Sequence, residues 1–397
     1  MDGARTRGQP AALAAVGSMI RGGAPHAVLL VGPAGVGKTT LALDLAAGLL
    51  CTADDPAVRP CGACRACRLV ASGGHPDVHR VGPEGPGRQV VIGGPGARVR
   101  GIRDLIAELA LLPVEGGARV AIVESAQRMN EDAQAALLKT LEEPPAGVTL
   151  ILCADAEEPL LPTIRSRCAR LRLGPVGVRD VEAILAEHGV ADAPLASRLA
   201  RITLGRPGVA LAWARQPEAL QVRDEVSRSL LDLLAVRPAE RLAGVRAAAL
   251  RAGALTGLGD GAAEAASVVV KPRGAAASTV ADANGDLGAN GDLGEEAGTN
   301  VRTPAAERRR AAEALLGLWT DTARDLALCR RGIDRSVRDI GLLDETAAMA
   351  QRLDAGELDA FLDRLGRASV LIVANVSPEL ILDDLALAWP RPTAAAA

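Results

Sequence analysis

Val28-Leu-Leu-Val31 runs directly into Gly32-Pro-Ala-Gly-Val-Gly-Lys38-Thr39, and residues 40–50 continue with helical composition. The octet satisfies G-x-x-x-x-G-K-[ST] in full, in the strand–loop–helix setting the motif requires. Its glycines let backbone N–H groups turn inward around phosphates, and the helix N-terminus that follows favours anions. Gly32, Pro33, Ala34, Gly35, Val36, Gly37, Lys38, Thr39 and Thr40 are therefore candidate ligands of ATP. Lys38 is expected to reach the β- and γ-phosphates, and the Thr39 hydroxyl to ligate Mg²⁺. The plain alternative is a glycine-rich turn with no ligand.

Outward from this loop, short apolar runs alternate with helical stretches over the first 175 residues, the pattern of a parallel α/β sheet. Strands are expected at 27–31, 78–81, 120–124, 149–153 and 170–173, each bounded by Gly, Pro or polar residues as buried strands usually are. A helix opened by Pro10 precedes the first strand. Residues 176–216 read as three short helices, at 178–188, at 193–202, and after Gly205-Arg206-Pro207. From 217 to 397 the pattern is helical, with one interruption. Residues 256–305 are rich in Gly, Ala, Asp and Asn and contain a tandem repeat of Ala-Asn-Gly-Asp-Leu-Gly at 283–288 and 289–294. Such a segment buries too little apolar surface to offset its ordering entropy, which predicts a disordered insertion.

A phosphate-loop ATPase holds Mg²⁺ with an acid at the end of a second strand and often activates water with an adjacent Glu. The run ending in Val123 is followed by Glu124-Ser125-Ala126-Gln127. Glu124 can take the metal role, whereas the Ser125 hydroxyl is far too weakly basic to activate water at neutral pH. This predicts nucleotide binding with weak or absent hydrolysis. The plain alternative is a Glu that merely ends a strand at the surface.

Cys51-x9-Cys61-x2-Cys64-x2-Cys67 holds four of the seven cysteines. Their spacing suits structural Zn²⁺ held by four thiolates, with no open position for water. Disulfides and an iron–sulfur cluster are the alternatives. Zinc would tie down a loop that lacks the apolar residues to fold alone.

The 397 residues carry 45 basic and 48 acidic side chains, a formal net charge of −3. That excludes a globally basic nucleic-acid coat. No apolar run approaches the roughly 18 residues of a membrane span, and the expected compartment is the cytoplasm. With one Phe and no Tyr, single-strand binding by base stacking is nearly excluded. Lysine occurs only at 38, 139 and 271. Lys139 lies in Leu137-Leu-Lys-Thr-Leu-Glu-Glu-Pro-Pro145, an amphipathic helix capped by Asn130 and stopped by its prolines. Further on, Leu161-Pro-Thr-Ile-Arg-Ser-Arg167-Cys168 places an arginine on a short helix, where the ordinary reading is a surface salt bridge.

Together these motifs resemble the bacterial clamp-loader ATPases of the AAA+ class. The resemblance rests on Gly8-Gln9, His26-Ala27, Gly32 to Thr39, the cysteine insertion, His75-Pro76-Asp77, residues 136–145, the Ser-Arg-Cys turn, and Asn375-Val-Ser-Pro-Glu-Leu. It has no counterpart for 256–305. It implies a RecA-like α/β AAA+ domain over 1–175 with the zinc insertion at 51–67. A three-helix lid over 176–216 and an all-α collar over 217–397 would follow. The implied role is that of a DNA polymerase III clamp-loader subunit. It would join gamma/tau and delta partners in a hetero-pentameric ring, helping to open the sliding clamp and load it on primed DNA in replication. Arg167 would then be an arginine finger acting in trans, and Arg206 the lid's nucleotide sensor. The first sensor position aligns with Ala154-Asp155 in place of the usual Thr or Asn. The alternative is a catalytic motor resembling gamma/tau, which would carry a carboxylate where Ser125 lies. A small-molecule kinase would explain neither the Ser-Arg-Cys turn nor the helical tail.

Overall fold

The computed structural model describes residues 1–84, 89–115, 117–265, 305–374 and 376–392. Five parallel strands, β1 (Ala27–Val31), β2 (Val78–Val81), β3 (Arg119–Val123), β4 (Val148–Ala154) and β5 (Ala169–Arg172), form one sheet in the order β2-β3-β4-β1-β5. Each lies within one residue of its sequence-based limits. The parallel α/β reading is thereby borne out. Within β1, Val28 and Leu30 pack on one face of the sheet, and Ala27 and Leu29 on the other. All four are fully buried, which is why β1 reads as continuous apolar sequence rather than an alternation.

Helices α1 (Pro10–Gly22), α2 (Lys38–Leu50), α3 (Arg65–Ala71), α4 (Ile102–Leu109), α5 (Glu131–Glu142) and α6 (Pro162–Arg167) surround the sheet. Asn130 caps α5 by accepting from the Ala133 N–H at 2.9 Å, and Glu131 and Asp132 fill the first turn. Three short helices follow, α7 (Val178–Glu187), α8 (Ala193–Ile202) and α9 (Pro207–Arg215).

The C-terminal region is all helical: α10 (Pro217–Asp232), α11 (Pro238–Ala265), α12 (Ala305–Arg330), α13 (Leu343–Ala350), α14 (Ala355–Val373) and α15 (Pro378–Ala388). Trp319, Phe361 and Trp389 meet at its centre with ring centroids 4.6–5.5 Å apart. The Trp389 Nε1–H donates to the Leu230 carbonyl at 3.0 Å, so its polar edge is satisfied where it is buried. The first apolar cluster runs without a break from α2 and one sheet face through α7–α9 to these rings. Helix α11 continues past residue 256, where the sequence predicts the start of an insertion. The tandem repeat and Asn375 lie outside the described residues. Among the described residues no helix is long and apolar enough to cross a membrane.

Candidate functional site

In open α/β sheets ligands bind beyond the carboxyl ends of the strands, where strand order reverses. Here β1 lies between β4 and β5, and its carboxyl end leads into the phosphate loop. Gly35 and Gly37 have φ of +76° and +106°, a conformation L side chains rarely adopt. A Cβ on Gly32 would stand 2.3 Å from the Leu173 carbonyl oxygen. The loop is braced to β4 by the Gly32 N–H donating to the Ala154 carbonyl at 3.2 Å. Helix α2 starts at Lys38, and Thr39 and Thr40 occupy its first turn, half-buried.

Lys38 is buried, and its Nζ is held by the loop itself. It donates to the carbonyls of Gly32 (2.6 Å) and Pro33 (2.9 Å) and to Asp155 Oδ1 (2.7 Å). Asp155 stands just beyond β4 and is joined to Gln127, whose Nε2 donates to Oδ2 at 2.8 Å. The ammonium expected on the β- and γ-phosphates thus neutralises a carboxylate of the neighbouring strand end. Sequence reasoning noticed Asp155 only as an unusual sensor residue. Its relation to Lys38 follows from β1 and β4 being neighbours, with Val31 opposite Ala154.

Glu124, next along at the end of β3, is engaged as well. Arg80 Nε donates to its Oε1 at 2.8 Å, and Arg80 Nη2 adds a second bond. Ser125 has φ +50° and ψ +48°, a left-handed conformation. The acidic groups at the strand ends are therefore Glu124, paired with Arg80, and Asp155, paired with Lys38.

Helix α9 closes on the loop from the other side. Gly208 N–H donates to the Gly35 carbonyl at 2.8 Å, and a Cβ on Gly35 would stand 2.8 Å from Val209 Cγ2. Arg206 precedes this helix and its Nε donates to the Thr203 carbonyl at 2.8 Å. Burial pulls its guanidinium below the usual arginine range, Asp321 opposes that, and Arg338 adds to it. The sensor candidate therefore stands near Asp321 and Arg338 of the C-terminal region, two residues before the Gly208 contact to the loop. Arg167 ends α6, half-exposed, with Nη2 2.8 Å from Glu142 Oε1 and Nη1 donating to the Thr163 carbonyl at 3.0 Å. Lys139 is exposed on α5.

The four cysteines converge apart from the phosphate loop, at the far end of α2. Cys51 follows α2 and Cys64 caps α3. The four sulfurs all lie within 4.8 Å of one another, and the Sγ atoms of Cys51 and Cys64 are 3.9 Å apart. A tetrahedral ion with ~2.3 Å metal–sulfur bonds requires sulfurs about 3.8 Å apart. Cys61 Sγ accepts the Cys64 N–H at 3.3 Å, and Cys64 Sγ accepts the Cys67 N–H at 3.4 Å. For Cys64, desolvation opposes ionisation, but the N–H groups of Cys67 and Thr52 prevail and bring the thiol down to about 6. Burial pushes the Cys51 and Cys67 thiols up. This donor set fits a metal ion, and it brings together every sulfur the sequence spacing had grouped.

Residues 8–177 match the family model described as DNA polymerase III, delta subunit. The chain is 43% identical over 145 residues to DNA polymerase III subunit delta' of Pseudomonas aeruginosa, a stretch covering 36% of this chain and 42% of that one. It is 34% identical over 215 residues to the Escherichia coli subunit delta', covering 54% and 62%. It is also 34% identical over 178 residues to the Escherichia coli subunit tau, covering 44% of this chain and 26% of that one. The matched stretches thus span about half the length of the delta' relatives. The clamp-loader resemblance carried by the sequence motifs is borne out over residues 8–177, and relatives matched in this part of the chain include delta' subunits.

Proposed function

We propose that this chain, which matches the DNA polymerase III, delta subunit family model over residues 8–177 and is 43% identical over 145 residues to a delta' subunit, is a delta-prime-like subunit of a clamp loader. In this reading residues 1–175 are the AAA+ domain, 176–216 a lid, and 217–397 a collar through which the chain joins gamma/tau-like and delta-like partners in a ring. The assembly opens a sliding clamp and places it on primed DNA. The observation that carries the reading is the pairing of a complete phosphate loop with Ser125 where a motor has its water-activating carboxylate.

The chain's own residues would then divide the work. Lys38, now paired with Asp155, would hold the β- and γ-phosphates of ATP, and Thr39 and Glu124, the latter now paired with Arg80, would hold Mg²⁺, which would neutralise phosphate charge. Arg206 reports the nucleotide to the lid. Arg167, half-exposed and held by Glu142 and a helix carbonyl, is presented to the γ-phosphate of an adjacent motor subunit. Zn²⁺ at Cys51, Cys61, Cys64 and Cys67 would be structural.

The test is Arg167→Ala in the reconstituted loader with clamp and primed DNA. Nucleotide binding by this subunit should be unchanged. ATPase of the assembly should fall, by up to the roughly 10³–10⁵-fold that an arginine finger supplies. Full loader activity in the variant would refute the trans role. The second reading, a motor subunit, draws on the similarity to tau. It requires vigorous ATP turnover by the isolated chain, which the delta-prime reading forbids.

A further inference from the structure

Residues 2–9 lie in no helix or strand, yet they touch three separate parts of the molecule. At one end they pair with the cysteine loop: the N–H of Asp2 donates to the Val58 carbonyl at 3.4 Å, and that of Gly3 to the Pro60 carbonyl at 2.8 Å. Gly3 is pressed so closely on the cysteine turn that a Cβ there would stand 2.2 Å from Gly62 N and 2.6 Å from the Cys61 carbonyl carbon. In the middle they hold α2. Asp44, 3% exposed, accepts from the N–H groups of Arg5 (2.9 Å) and Thr6 (2.8 Å) and from the Thr6 hydroxyl (2.6 Å). At the far end Gly8, with φ +69°, abuts Val176, and Gln9 Nε2 donates to the Gly174 carbonyl at 2.6 Å.

The path continues to the phosphate loop. Val176 N–H donates to the Gly205 carbonyl at 2.8 Å, and Gly208 N–H to the Gly35 carbonyl at 2.8 Å. Unbroken contacts thus lead from Cys61-Gly62, through the strap, to the segment that seats α9 on Gly35. The strap buries only Thr6 and Gln9, so its position depends on these attachments. Asp44 depends on the strap in turn, because Arg5 and Thr6 are the donors to its buried carboxylate. Withdrawing the strap would leave that carboxylate unpaired on the helix that begins at Lys38, which is costly.

We propose that the four-cysteine module, when it holds its metal, fixes residues 2–9 and through them seats α9 on the phosphate loop. The strap is then a positioning element that makes the nucleotide site sensitive to the state of a metal site at the other end of α2. The proposal rests on the metal reading of the four cysteines.

The test is amide hydrogen exchange on the full chain, loaded with zinc and after chelation. Chelation should speed exchange about ten-fold or more in peptides covering 2–9, and by a smaller factor in peptides covering 174–177 and 205–210. Faster exchange confined to residues 51–71 would overturn the coupling. Gly3→Val provides the second arm, since its side chain cannot fit against Gly62. The variant should keep its zinc while 2–9 and 205–210 exchange faster, and unchanged exchange there would overturn the proposal. A wild-type chain that takes up no zinc would refute the metal reading itself, and Gly3→Val would then decide the role of the strap on its own.

Discussion

The two ends of α2 are built on opposite principles. At its N-terminus the phosphate loop sits beside the buried strands β1 and β4, with Leu41, Ala42, Leu45 and Ala46 of α2 buried behind it. The buried Lys38 ammonium is matched there by two loop carbonyls and Asp155. At the C-terminus the cysteine insertion has little to bury. Helix α3 hides only Ala66, Cys67 and Val70, and the short turn at Pro56–Val58 hides nothing. The would-be ligands are themselves a large part of that small core. A loop built into a sheet keeps its shape with chain groups alone, whereas a loop with so thin a core would gain most of its definition from an ion held by its four thiols.

The largest expected effect follows from this contrast. Cys64→Ser should abolish tight zinc binding and unfold residues 51–71 locally, because structural zinc contributes on the order of 10 kcal/mol in small domains. The phosphate-loop strands should keep their protection. Elemental analysis, expected to find about one zinc per chain in the wild type, and limited proteolysis would check this. An insertion that stays protected without metal would erase the contrast.

Gly35→Ala attacks the other end. Its φ of +76° and the 2.8 Å approach of Val209 predict a loss of roughly 1–3 kcal/mol, seen in thermal unfolding. A neutral result would mean that α9 does not rest on the loop in solution.

Asp155→Asn probes how far the loop satisfies itself. Asp155 is more than a third exposed, so solvent screening limits the stability cost to below about 1 kcal/mol. Freeing Lys38 should tighten ATP binding by about ten-fold or less, measured by titration calorimetry. Weaker binding in the variant would instead make Asp155 part of the nucleotide site.

The smallest effect is on protons. Burial raises the Cys51 and Cys67 thiols, so both are protonated at pH 7 and must release protons when metal binds. Cys64, at about 6, is already mostly thiolate there. Uptake of zinc at pH 7.5 should therefore release fewer than four protons, and the number should grow as pH falls through 6. Calorimetry in buffers of different ionisation enthalpy reads this directly, and four protons at pH 7.5 would contradict the Cys64 assignment.

The strands and the cysteine cluster were legible because each depends on residues close in sequence. An apolar run bounded by turn residues makes a buried strand wherever it is placed, and x9, x2 and x2 spacings can close only on themselves. The pairing of Lys38 with Asp155 was not legible, nor was that of Arg80 with Glu124. Each joins strand ends far apart in sequence, and nothing local reveals which strands become neighbours. Gly3 gave no signal either, and Gly8 gave one only as a residue of a family resemblance that says nothing of Val176, since a glycine required by close approach looks like any other until its neighbour is known.

The sequence by itself determined a phosphate loop on a parallel sheet, four thiols in one place and a helical C-terminal region, because local patterning and short loops leave few alternatives. Tertiary structure alone decided what those parts do to one another: which carboxylate neutralises Lys38, that α9 rests on Gly35, and that residues 2–9 bridge the cysteines to both. Those relations come from strand order and from burial, which imposes a free-energy cost on every polar group left without a partner, and so selects partners by position in space rather than in sequence.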